Sequence, residues 1–172
     1  MVKTYGFYKL KVRESKGKYV DTGMHVTAFY NDALTPEGLE KVKKDAMETF
    51  QNFHFRIRCS LRKPGTLNDK EVMFLDLHEF SSSFAEALGG FAMRNTYRTE
   101  LGAGGQYPTY CCHVTLGNVS DEAECERNFL KLNGKDIFLG RKLFFKQIQP
   151  EKRLLGFAAD GVFELTNKNK KN

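Results

Sequence analysis

The chain has 172 residues, 41% of them hydrophobic and 13% aromatic, with a formal net charge of +6. That size and composition exclude general disorder and predict one domain over residues 1–166, followed by a solvated, disordered basic tail at 167–172. No apolar run reaches the roughly 20 residues that cross a bilayer, no signal stretch opens the chain, and Cys59, Cys111, Cys112 and Cys125 lack CxxC spacing, which sets aside transmembrane, secreted and structural-zinc classes and predicts reduced thiols in a cytoplasmic protein.

Taken in chain order, alternation over residues 5–12 predicts a first strand and residues 24–30 a second. Thr35-Pro36-Glu37 reads as a helix start, with Thr35 as the cap and Pro36 at the first helical position, where its missing N–H is harmless. The helix is expected to reach about Phe50, with Leu39, Val42, Ala46 and Met47 facing inward. Residues 53–62 form the cleanest period-two stretch: Phe53, Phe55, Ile57, Cys59 and Leu61 on one face, His54, Arg56, Arg58, Ser60 and Arg62 on the other. Lys63-Pro64-Gly65 predicts a turn, and residues 71–77 the partner strand.

Residues 83–88 suggest a short helix stopped by Gly89-Gly90. Residues 101–108, with Gly102, Gly104 and Gly105, predict a flexible loop that suits a lid and equally suits a surface insertion with no role. A strand over residues 110–116 and a helix over residues 121–132 follow, the helix burying Ala123, Phe129 and Leu130 or Leu132. Three closing strands are expected at residues 142–147, 153–158 and 162–166.

Within this pattern the tripeptide His-Val-Thr occurs twice, as His25-Val26-Thr27 and His113-Val114-Thr115, each inside an apolar run. With four histidines and eleven threonines in the chain, two His-x-Thr copies sharing the central Val are a rare chance event. Strand geometry puts each His and Thr on one face and turns Val26 or Val114 toward a core. Two imidazoles and two hydroxyls around one space suit phosphodiester chemistry with no metal and no cofactor. Histidine, with a pKa near 6.5, serves as acid or base at neutral pH, and the threonines donate hydrogen bonds to phosphate oxygens. His54 and His78 have no hydroxyl two residues on and read as structural or exposed.

Two H-x-T motifs on strands resemble the two-histidine phosphoesterase superfamily, and within it the catalytic domain of the myelin-type 2′,3′-cyclic-nucleotide 3′-phosphodiesterases. The likeness rests on Tyr5-Gly6-Phe7-Tyr8, the segment from Met24 through His25 and Thr27 to Tyr30, His113-Val114-Thr115-Leu116-Gly117, and Gly140-Arg141-Lys142-Leu143-Phe144. It implies a two-lobed α+β fold in which two antiparallel sheets form a central cleft with helices outside. It also implies metal-free hydrolysis of nucleoside 2′,3′-cyclic phosphates to 2′-nucleotides. His25, Thr27, His113 and Thr115 would be catalytic, with His113 activating water and His25 protonating the leaving oxygen. Tyr5, Tyr30 and Tyr110 are the candidate substrate-binding residues, Tyr30 falling where the family stacks an aromatic ring on the base. The chain departs from the family at two points: Cys111 stands where an Arg is usual, and Glu124 where a Pro is usual.

The same resemblance admits a 2′–5′ phosphodiesterase or an enzyme that processes RNA 2′,3′-cyclic ends. The Arg56, Arg58 and Arg62 face reads first as a solvated one; with the positive charge it also admits a non-catalytic RNA-binding module on the same fold. The chain is expected to act as a monomer, and to lie peripheral to membranes only in a longer form.

Overall fold

Burial alternates along the first strand without a break: Thr4, Gly6, Tyr8, Leu10 and Val12 are buried, while Tyr5, Phe7 and Lys9 remain partly exposed. A two-residue period of that kind sorts a strand into a core face and an open face. In this computed structural model, which describes residues 2–14, 16–50, 57–59, 61–75, 82–106, 109–135, 137–140, 142–148 and 161–164, the fold is mixed α+β. Its described strands are β1 (Val2–Arg13), β2 (Tyr19–Leu34), β3 (Ile57–Cys59), β4 (Leu61–Leu67), β5 (Lys70–Leu75), β6 (His113–Asn118), β7 (Ile137–Leu139), β8 (Lys142–Ile148) and β9 (Gly161–Glu164). They join into one antiparallel sheet of order β3-β7-β1-β2-β6-β5-β4, with β8 pairing β1 and β9. Among the described residues β2 and β6 meet at a single pair, Val26 opposite Val114.

Local signals explain the first and last helices. In α1 (Pro36–Phe50) the Thr35 hydroxyl accepts from the Gly38 N–H at 3.0 Å, and in α3 (Glu122–Leu132) the Asp121 carboxylate accepts from the Glu124 N–H at 3.1 Å. The inward row of α1 is Leu39, Val42, Ala46 and Phe50; Met47 is only half-buried, because the row steps by four to Phe50. In α3, Cys125 and Leu132 are buried, whereas Leu130 is exposed and Ala123 faces solvent.

The second helix differs from expectation. α2 (Ser82–Asn95) runs straight through Gly89-Gly90, because Phe84, Leu88, Phe91 and Ala92 form one continuous buried stripe. Burying an aromatic ring outweighs the roughly 1 kcal/mol that each helical glycine costs. Phe91 meets Phe29 at 5.9 Å and Phe50 at 5.2 Å, so α1 and α2 close over the core face of the sheet. Arg94 ties the pair at its edge through two hydrogen bonds to Asp45, at 2.9 and 3.0 Å.

Other boundaries move as well. The expected strand over residues 53–62 divides: β3 pairs β7 at one edge of the sheet, and β4 pairs β5 at the opposite edge. Lys63-Pro64-Gly65 lies within β4, where Pro64 sits at a register shift on an edge strand, a place that tolerates its missing N–H. The turn comes instead after Leu67, where Asn68 takes φ 54°. Within the segment expected as a loop, residues 99–104 make two short 3-10 turns that meet at a non-helical Gly102 (φ 80°, ψ −155°), and Arg98 N–H donates to the Gly105 carbonyl at 2.7 Å to close their base. β7 was not foreseen; it pairs both β1 and β3. The readings made for His54, His78, residues 153–158 and the tail lie outside the described residues, as does the side-chain reading of Arg56, Arg58 and Arg62. No helix among the described residues is long and apolar enough to cross a membrane.

Candidate active site

Each motif sits on its strand as alternation requires. His25, Thr27 and His113 are partly exposed, Thr115 is exposed, and Val26 and Val114 are completely buried. Because Val26 and Val114 are antiparallel partners, the register sets His25 across from Thr115 and Thr27 across from His113. All four side chains therefore share the sheet face opposite the core.

The two histidines have different surroundings. The His25 ring lies 4.8 Å from Phe7 and 5.7 Å from Tyr5, and Phe7 stacks on Phe144 at 5.4 Å. Lys9, the register partner of His25, places its ammonium 4.4 Å over the Phe144 ring. Burial lowers the His25 pKa below its usual 6.5, and the nearby charges of His113 and Lys146 lower it further. His113 is instead anchored through the backbone: its Nδ1 lies 2.9 Å from the Cys111 carbonyl oxygen. A carbonyl only accepts, so Nδ1 carries the proton there and Nε2 is left to exchange one with a substrate.

Tyr30 reaches the same face through an irregularity. Strict alternation from His25 would turn it inward. Gly6 pairs with Phe29 but Phe7 pairs with Thr27, so Ala28 is an extra residue, a β-bulge. Beyond it Phe29 faces the core and Tyr30 faces out, paired with Tyr5. Phe29 then covers β1 where Gly6 leaves room, since a Cβ on Gly6 would overlap Phe29 Cε1.

Tyr110 has a defined partner. Its hydroxyl donates to the Thr27 carbonyl at 2.7 Å, tying the segment before β6 to the first motif, and burial holds its pKa well above 10. The strand expected at residues 110–116 accordingly begins at His113, after this tether. Cys111 is exposed and Cys112 buried; burial pushes the Cys112 thiol up to about 12.

Thr27, Tyr30, Tyr110, Cys111 and His113 line a cavity of about 420 Å³, with Arg98, Met93 and Asn68 on its other walls. His25 and Thr115 share its sheet face without lining it. A larger hollow of about 760 Å³, between the β1–β2 hairpin and Lys131 and Lys135, has no histidine in its walls and lies away from the motifs.

Several residues of this site lie outside the sequence-based set, among them Phe7, Lys146 and Arg98. Phe7 was legible, since it shares the period of Tyr5. Lys146 and Arg98 were not: neither belongs to a motif, and tertiary contacts such as the pairing of Tyr5 with Lys146 and the packing of Arg98 on Tyr30 bring them in. Glu124, the second departure from the family pattern, occupies the first turn of α3 beside Gly117. No protein-family model matches the chain, and no curated protein matches it.

Proposed function

We propose that this chain is a two-lobed two-histidine phosphoesterase that hydrolyses nucleoside 2′,3′-cyclic phosphates to 2′-nucleotides. The observation that carries the reading is the juxtaposition across Val26 and Val114, which sets His25, Thr27, His113 and Thr115 on one open face. The single-pair junction between β2 and β6 also suits a division into two lobes.

Opening the strained ring requires water to lose a proton as it attacks phosphorus, and the departing 3′ oxygen to gain one. Attack and departure are roughly in line, so base and acid stand on opposite sides of the phosphorus. His113 Nε2 takes the water proton, with Nδ1 steadied by the Cys111 carbonyl. The new oxygen–phosphorus bond forms, the bond to the 3′ oxygen breaks, and His25 supplies that oxygen's proton. Thr27 and Thr115 donate to the non-bridging oxygens. This reading assigns no metal or cofactor to the reaction.

The test is incubation with 2′,3′-cyclic AMP and chromatographic identification of the product, with and without EDTA. A 2′-phosphate formed equally well in EDTA is the expected result. A 3′-phosphate reverses the leaving group, dependence on a divalent ion overturns the metal-free step, and no product removes the enzymatic reading.

A second reading keeps the chemistry but places the cyclic phosphate at the end of an RNA. It is favoured by the aromatic row Tyr5, Phe7 and Phe144 beside His25, interleaved with Lys9 and exposed Lys146. A short oligonucleotide ending in a 2′,3′-cyclic phosphate is then turned over at much lower concentration than cyclic AMP.

A further inference from the structure

Tyr30 does not present a bare ring to the cavity. The Arg98 guanidinium lies over it, its central carbon 4.5 Å from the ring centroid. A base sandwiched between two flat groups needs them about 7 Å apart, twice a normal carbon contact. As the pair stands, nothing fits between them.

Arg98 is held in this position from several sides. Its Nε and Nη2 both donate to Glu100 Oε1, at 3.1 and 2.7 Å. Its backbone N–H donates to the Gly105 carbonyl at 2.7 Å, and the N–H of neighbouring Tyr97 donates to the Tyr30 carbonyl at 2.9 Å. Gly105 is required at that closure: its φ is 56°, and a Cβ there would overlap the Tyr97 ring. The Arg98 side chain keeps 29% of its surface exposed and lines the same cavity as Thr27 and His113.

We infer that Arg98 makes the site prefer a nucleotide over a base-free cyclic phosphate: the nucleobase stacks on the outer face of its guanidinium while Tyr30 backs the inner face. A planar, weakly hydrated cation fixed on an aromatic ring is a preorganised platform for any flat base, purine or pyrimidine. The inference rests on the phosphoesterase reading for the place of the phosphate; the platform itself follows from the Arg98–Tyr30 packing.

The test compares 2′,3′-cyclic AMP with glycerol 1,2-cyclic phosphate, which has the diester ring but no base, for the unmodified protein, Arg98→Lys and Arg98→Gln. Lysine keeps the charge and loses the plane. Both variants are expected to lower the preference for the nucleotide by about tenfold, through KM rather than kcat, at the low end of what base stacking contributes. An equal loss on both substrates, or full rescue by Arg98→Lys, overturns the platform in favour of a structural or a purely electrostatic role. If the unmodified protein hydrolyses neither compound, the phosphoesterase reading falls, and equilibrium titration with 2′-AMP decides the platform alone. Binding weakened about tenfold in Arg98→Lys supports it; no binding, or a Kd unmoved by the substitution, overturns it.

Discussion

His25 and His113 carry the same motif in unlike settings, one against aromatic rings and the other held by a backbone carbonyl. On the proposed mechanism each His→Ala substitution lowers kcat on the order of 10²–10⁴-fold, the usual worth of one general acid or base. Near-normal turnover of 2′,3′-cyclic AMP by either variant removes that residue from the mechanism. The lowered pKa of His25 has a definite sign in the pH profile. As the acid, His25 must be protonated, so kcat/KM falls as pH rises through a value below 6.5. A bound phosphate anion pushes the pKa back up, which places the alkaline limb of kcat at higher pH than that of kcat/KM. Lys146→Met removes one of the lowering charges and shifts the kcat/KM limb upward. A kcat/KM that instead rises through this region makes His25 the base. The same shift favours the unfolded chain on acidification, since the unfolded state binds the proton first as pH drops below about 6.5.

At the scale of elements, the bulge at Ala28 decides where β2 sends its side chains. Its two supports are Gly6, which leaves space on β1, and Phe29, which fills that space against Phe91 and Phe145 at 5.9 and 5.8 Å. Gly6→Ala forces a methyl into a ring that has nowhere to go and is expected to cost about 1–3 kcal/mol, read as a lower midpoint in denaturant. An unchanged midpoint shows that Phe29 moves freely. None of this was legible in local pattern, because a bulge is set by what packs across from it. The cap at Thr35 was legible, since cap and helix lie within four residues of each other; Asp121, expected as the first helical residue, is instead the cap of α3. The common face of His25 with Thr27 and of His113 with Thr115 was legible too, since it needs only the period of a strand. The division of residues 57–67 between two sheet edges was not, because alternation does not specify a partner. Nor was the passage of α2 through Gly89-Gly90, where burial of Phe91 by distant segments overrides a local preference.

For the molecule as a whole, β2 and β6 are the seam, and Val26 and Val114 close it from the core side, away from the face that carries the motif side chains. Val114→Ala removes buried methyls on both counts, transfer and cavity, and is expected to cost about 2 kcal/mol. It is also expected to lower kcat, by loosening the spacing between the two histidines, while unfolding stays a single transition. Two separate melting steps instead make the halves independent folding units. The antiparallel valine pair has one more effect. It relates the motifs by a near-dyad, so His25 and Thr27 map onto His113 and Thr115 when the strands are exchanged. A site with that pseudo-symmetry has no built-in polarity. On the proposed function, regiochemistry, 2′-phosphate against 3′-phosphate, is then set outside the tripeptides, by the residues that break the dyad: Lys146 and the rings of Tyr5 and Phe7 on one side, the Cys111 carbonyl on the other.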